Sequence, residues 1–313
     1  MSGNTGRENI FREKGFLGER IVIIVKVMGG LGNQMFQYAL GRRLSQDRGV
    51  PLRLDLSWFE ENSNRSGTAK REFALSEWRI DAKRANAEEL MLFPLSRPLL
   101  KGLSRYLSPL VRPVITERSF RYDHQVLSVP KTAYLAGYWQ SARYFASIKG
   151  KLRLEFSMNL PPCAHVQRLA EEAGQAGSIS IHVRRGDYVN TPATNAFHGV
   201  CGIDYYRAAA KHLAGEVAEP RFLVLSDDLS WAREHLNLGW PTSFVEHDVS
   251  CTPHNDMWLM SLCQHHVIAN SSFSWWGAWL GANPAKKVVA PEKWFRRMDI
   301  DTTDLIPEGW ARI

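Results

Sequence analysis

The stretch SISIHVRRGDY, residues 178–188, is a short apolar strand that runs directly into two arginines, a glycine and an aspartate. Ile179, Ile181 and Val183 alternate with Ser180 and His182, the period of two that a strand requires. Arg184 and Arg185 stand at its carboxyl end, where Gly186 lets the backbone turn. Two guanidiniums there offer bidentate hydrogen bonds to phosphate oxygens, and open α/β sheets bind ligands at that end of their strands. The pattern predicts an anionic, phosphorylated ligand.

Outward from this strand, apolar runs at 222–225, 244–245, 267–269 and 288–290 predict further strands. Helical patterns lie between them at 205–214, 231–236 and 254–266, the last with Thr252 as N-cap and Pro253 in its first turn. A second series opens the chain. Residues 21–27 read as a buried strand, GGLGNQ (29–34) as a glycine turn, 35–44 as an apolar helical face, and 52–56 as a strand carrying Asp55. Residues 133–139 read as another strand. Strands alternating with helices predict parallel sheets, so the expected fold is α/β and GT-B-like: two Rossmann-like doubly wound domains facing a cleft. The expected boundaries are a disordered leader at 1–20, a first domain at 21–155 with a helical insertion at 58–130, and a second domain at 156–313.

The bulk composition narrows the class. In 313 residues, 44% hydrophobic and 23% charged content is that of a globular protein long enough for two domains. The net charge of +7 comes from scattered Lys and Arg, which suits an acidic small ligand, and no nucleic-acid-binding module is legible. No run approaches the ~18 apolar residues that span a bilayer. The leader has no apolar core of a signal peptide, and Cys163, Cys201, Cys251 and Cys263 are not closely paired, so the expected location is cytoplasmic. The Pro-, Leu- and Arg-rich run at 94–113 is read as packing on the domain, with peripheral membrane contact as its alternative. His247, Cys251, His254, Asp256, Cys263, His265 and His266 crowd one segment, but their spacing is irregular for zinc, and no metal is expected.

Each motif carries a plain reading beside a functional one. In the glycine loop, Gly30 and Gly32 give G-x-G, but Met35 occupies the third glycine position of a dinucleotide fingerprint. The loop is either a tight strand-to-helix turn or a site where backbone amides, Asn33 and Gln34 approach a diphosphate or sugar. His182 is a core histidine or a ligand contact. Asp187 could orient an arginine, cap a turn or take a proton from a substrate hydroxyl. Asp227 and Asp228, after the strand at 222–225, cap a helix or contact a nucleoside. Ser271, Ser272 and Phe273 open a helix that ends at Gly281, and a helix start with hydroxyls and amides suits an anion.

Together these residues resemble glycosyltransferase family 11, the bacterial-type α-1,2-fucosyltransferases. The points of similarity are GGLGNQMFQYA at 29–39, HVRRGDYV at 182–189, SDD at 226–228, and the run from Asp256 through NSSFSWWGAWL at 270–280. The resemblance implies GDP-fucose as donor, the 2-hydroxyl of a terminal galactose on a glycan as acceptor, and inversion without a metal or other cofactor. It makes Arg184 the expected catalytic cation at the β-phosphate and Asp187 the expected base. Gly30, Gly32, Asn33, Gln34, His182, Asp227, Asp228, Ser271, Ser272 and Phe273 are the expected donor-binding residues. The alternatives are a peptide or chitin-oligosaccharide fucosyltransferase, a dinucleotide oxidoreductase using Gly30, Gly32 and Asp55, and a non-catalytic sugar-nucleotide-binding protein.

Overall fold

The computed structural model describes residues 21–62, 71–93, 112–162, 164–246, 251–297 and 299–313. The expected leader at 1–20 and most of the run at 94–113 lie outside them. The N-terminal sheet holds β1 (Ile23–Lys26), β2 (Leu52–Asp55), β3 (Lys83–Arg84), β4 (Val114–Thr116) and β5 (Ala133–Ala136). Its order is β3-β2-β1-β5-β4, and every neighbouring pair is parallel. Its helices include α1 (Leu31–Arg48), α2 (Ser57–Asn62), α3 (Ala87–Met91) and α4 (Lys149–Glu155).

The C-terminal sheet holds β6 (Ser178–Val183), β7 (Arg221–Ser226), β8 (Thr242–Phe244), β9 (His265–Val267), β10 (Val288–Ala290) and β11 (Ala311–Arg312). It is parallel throughout, in the order β11-β10-β9-β6-β7-β8. Counted from the β8 edge in chain order this is 3-2-1-4-5-6, the doubly wound Rossmann order. Around it run α5 (Ala164–Gly174), α6 (Gly186–Asn190), α7 (Pro192–His198), α8 (Ile203–Ala214), α9 (Leu229–His235), α10 (Pro253–Leu262) and α11 (Ser272–Leu280). All six residues of β6 are buried, as a central parallel strand covered on both faces requires. Its serines survive there because each has a partner. Ser178 Oγ donates to the Ala173 carbonyl at 2.6 Å, and Ser180 Oγ lies 2.8 Å from His266 Nδ1.

One apolar cluster joins the two halves, while the central strands of the second sheet pack in clusters of their own. The joining cluster runs from Ile23 and Val25 of β1 through α1 to Trp275 and Trp276 of α11, then to Trp294, Leu305 and Ile306 near the C-terminus. Phe36 of α1 meets the rings of Trp275 at 4.5 Å and Trp276 at 5.0 Å, and Phe145 stacks on Trp276 at 5.3 Å. The long helix of the first half therefore packs on the tryptophan helix of the second.

Three expectations are corrected. Residues 58–130 are more than a helical insertion, because β3 and β4, the two edge strands of the first sheet, come from within them. The helix expected at 254–266 ends at Leu262, and His265–Val267 pair with β6 and β10. The short terminal strand β11 has no apolar run to announce it, since it is only Ala311–Arg312 on a sheet edge.

Candidate functional site

In each sheet the connections to one edge meet those to the other at a single pair of adjacent strands, and both pairs open on the same cavity. In the first sheet the switch lies between β1 and β5, and in the second between β6 and β9. Crevices at such switch points are where doubly wound sheets take ligands. The loops after these four strands bring Gly30, Tyr138, Arg184 and Ser271 to a cavity of about 1010 Å³.

Two helix starts meet at its floor. Gly30 is the N-cap of α1 and offers no side-chain cap, while Ser271 caps α11 by accepting from the Phe273 amide at 3.3 Å. Gly32 lies so close to α11 that a Cβ on it would stand 2.4 Å from the carbonyl carbon of Ser272. Only glycine allows that approach, and it sets the positive ends of two helix dipoles side by side. Such a floor attracts an anion.

The side walls carry charge in a linked set. Arg184 Nη1 pairs with Asp227 at 2.8 Å, and its Nη2 pairs with Asp187. The other Asp187 oxygen accepts from Arg71, a residue of the first half that reaches across the cleft. Asp227 also accepts from the backbone amides of Arg185 at 2.8 Å and Gly186 at 3.1 Å. A Cβ on Gly186 would lie 2.6 Å from that carboxylate, so the glycine is needed for the turn to close on it.

An aromatic wall faces this set. The Phe120, Phe295 and Phe197 rings follow one another at 5.0 Å spacings, and the His198 ring lies 4.8 Å from Phe197 and 4.7 Å from Tyr188, on which it stacks. Tyr188 in turn lies beneath the Arg184 guanidinium, 5.4 Å from ring centroid to Cζ. His182 sits behind, 5.1 Å from the Phe273 ring, and burial pushes its pKa down to about 3, with Arg184 adding to the shift. Burial likewise pulls His198 down to about 4, against the raising effect of Asp187. Both rings are therefore neutral near pH 7.

Of the residues expected from sequence, the cavity wall gathers Gly30, Gly32, Asn33, His182, Arg184, Asp187, Asp227, Ser271, Ser272 and Phe273. Gln34 is not among them. It is fully buried, its amide donating to the Gly29 and Glu72 carbonyls and its oxygen accepting from the Ala74 amide, each at 2.9 Å. Asp228 also turns away, accepting from the Trp231 amide as the N-cap of α9 and pairing with Arg185 at 3.0 Å. Arg185 lies over the Trp231 ring, its Cζ 4.0 Å from the centroid, and of the pair Arg184 lines the cavity. Asp55, the ribose contact of the oxidoreductase alternative, ends β2, where it accepts from the Tyr134 hydroxyl and the Ser57 amide.

Sequence reading missed Arg71, Tyr138, Gln140 and the phenylalanines of the ring ladder, while HGVCG at 198–202 reads as a stretch that lines the cleft, as His198 does. Arg71 lies in a polar stretch with no periodicity. Tyr138 and Gln140 flank Trp139, which is held at φ +57 by a buried turn whose amides at 138 and 139 both donate to Glu117. That left-handed tryptophan is a local oddity of the kind that clusters at functional loops. Among the described residues no group of three or more His, Cys, Asp or Glu gathers to hold a metal ion, and no helix is long and apolar enough to cross a membrane.

Residues 118–311 match the family model described as Glycosyl transferase family 11. The chain is 33% identical over 306 residues to an alpha-1,2-colitosyltransferase of Escherichia coli, spanning 93% of this chain and 99% of that protein. It is 22% identical over 288 residues to the human galactoside alpha-(1,2)-fucosyltransferase 1, spanning 84% of this chain and 76% of that protein. Among solved structures, the fucosyltransferase NodZ from Bradyrhizobium aligns with a TM-score of 0.48 at 15% identity, over 83% of this chain and 91% of that one.

Proposed function

This chain belongs to glycosyl transferase family 11, and on that premise we propose that it transfers L-fucose from GDP-β-L-fucose to the 2-hydroxyl of a terminal galactose on a glycan, with inversion. One observation carries the reading: Arg184 and the starts of α1 and α11 converge on a single cavity at the switch points of both sheets. As the glycosidic C–O bond breaks, negative charge develops on the β-phosphate of the departing GDP. Preorganised donors in a fixed cavity stabilise such charge without reorganising. Arg184 lines that cavity from the second sheet, and the starts of α1 and α11 turn their amides to the same space. The aromatic wall fits the acceptor, since the C–H face of galactose stacks on rings such as Phe295 and Phe197.

The hydroxyl proton is a separate matter. Asp187 is the carboxylate assigned to it by resemblance, yet both its oxygens accept from guanidiniums. That engagement suits a residue that orients Arg184.

Titration of the protein with GDP in the presence of a chelator, with GMP and NADH as controls, tests the donor site. The expected result is chelator-resistant GDP binding, followed by transfer from GDP-fucose to galactosides that falls about 10²–10³-fold in Arg184→Ala. Binding of NADH in place of GDP, or wild-type turnover in that variant, overturns the reading. A colitosyl donor is the second reading, favoured by the 33% identity to the Escherichia coli relative. Turnover of the two donor sugars side by side decides between them.

A further inference from the structure

We infer that Arg71 is a second guanidinium for the leaving diphosphate, supplied by the N-terminal half of the molecule. The inference rests on the GDP-sugar reading of the same cavity. Arg71 lines the cavity, and its Nη1 lies 3.6 Å from where a Cβ of Gly30 would stand, directly over the start of α1. It shares Asp187 with Arg184, so one carboxylate holds two guanidiniums from opposite sides of the cleft.

The chain directly after Arg71 is fixed by contacts that involve no charge. Buried Gln34 brackets the following strand of chain through Glu72 and Ala74, and His254 Nε2 of α10 lies 2.7 Å from the Ala74 carbonyl. The segment is thus locked to the first turn of α1 and to the second domain at once. A locked backbone that aims a guanidinium into a cavity over a helix start is a preorganised anion clamp. The Arg71 side chain keeps a third of its surface exposed and lines the cavity while its Nη2 holds Asp187. Gln34, expected to touch the donor itself, serves it through this bracket.

GDP and GMP differ by the β-phosphate, and their affinities separate a phosphate contact from a structural role. Calorimetric titration of wild type and Arg71→Ala with each nucleotide is the test. The expected result is a loss of about tenfold or more in GDP affinity, the size of a lost charge-assisted hydrogen bond, with GMP affinity held within about twofold. Arg71→Gln repeats the comparison if the alanine variant melts early. An unchanged GDP-over-GMP preference, or equal weakening of both nucleotides, overturns the inference. Wild-type protein that fails to bind GDP overturns the donor reading beneath it, and that failure is visible before any variant is made.

Discussion

At the residue scale, Gly32 shows how a motif does its work through what it lacks. GGLGNQ reads as a weak dinucleotide loop because Met35 fills the third glycine position, and Met35 is indeed core. The glycine that matters is the one facing another helix, since Gly32 is in backbone contact range of Ser272 and Phe273. Gly32→Ala is expected to push the two helix starts apart and to lower stability by about 1–3 kcal/mol, the usual cost of overpacking. Urea denaturation of the purified variant reads this directly, and a midpoint equal to wild type would mean the contact relaxes freely. The partner of this glycine lies 240 residues away in the chain. No local pattern could name it.

At the element scale, α11 combines two jobs in nine residues. Its first turn faces the cavity, and its body buries Trp275, Trp276 and Trp279 against α1 and the chain end. Trp275 Nε1 donates to the Leu305 carbonyl at 2.9 Å, so even the polar edge of that ring is used. Ser271 caps the helix, and Ser271→Ala is expected to cost about 1 kcal/mol, whereas Ser271→Gly should cost only a few tenths. Equal stability of the alanine variant and wild type in thermal melts would show that the hydroxyl is not the cap. The start of this helix was legible in sequence from Ser271 and Ser272. Its burial on a helix of the other domain was not, because an apolar helix face says only that something covers it.

At the scale of the whole molecule, the apolar cluster that joins the two halves argues against two domains that open independently. Arg121 and Arg143 add ion pairs to Asp304 across the same seam, at 2.6 and 2.8 Å. Scanning calorimetry should give one transition whose calorimetric and van't Hoff enthalpies agree, and two separated peaks would sink that expectation. Buried histidines set the acid limit. Burial pushes His182 down to about 3 and His198 to about 4, and lowers His254 and His266 as well. An unfolded histidine titrates near 6.5, so below that pH the unfolded chain takes up protons that the folded chain refuses. Stability is therefore full above about pH 6.5 and falls as pH drops through the window toward 4, by up to about 1.4 kcal/mol per pH unit for each such histidine. Denaturant midpoints at pH 7 and pH 5 test the sign, and a midpoint that rises on acidification would refute it.

By itself the sequence determined the two α/β series, the strand ends that carry Arg184 and Ser271, and the family, because periodicity, caps and glycine turns are local properties of the chain. Only the tertiary structure decided which neighbours those residues have. It turned Gln34 and Asp228 away from the cavity, drew Arg71 into it, and set Phe120 beside Phe295. Those outcomes depend on which strand lies next to which and on how two helices cross, and contacts between residues far apart in the chain leave no signal in either segment alone.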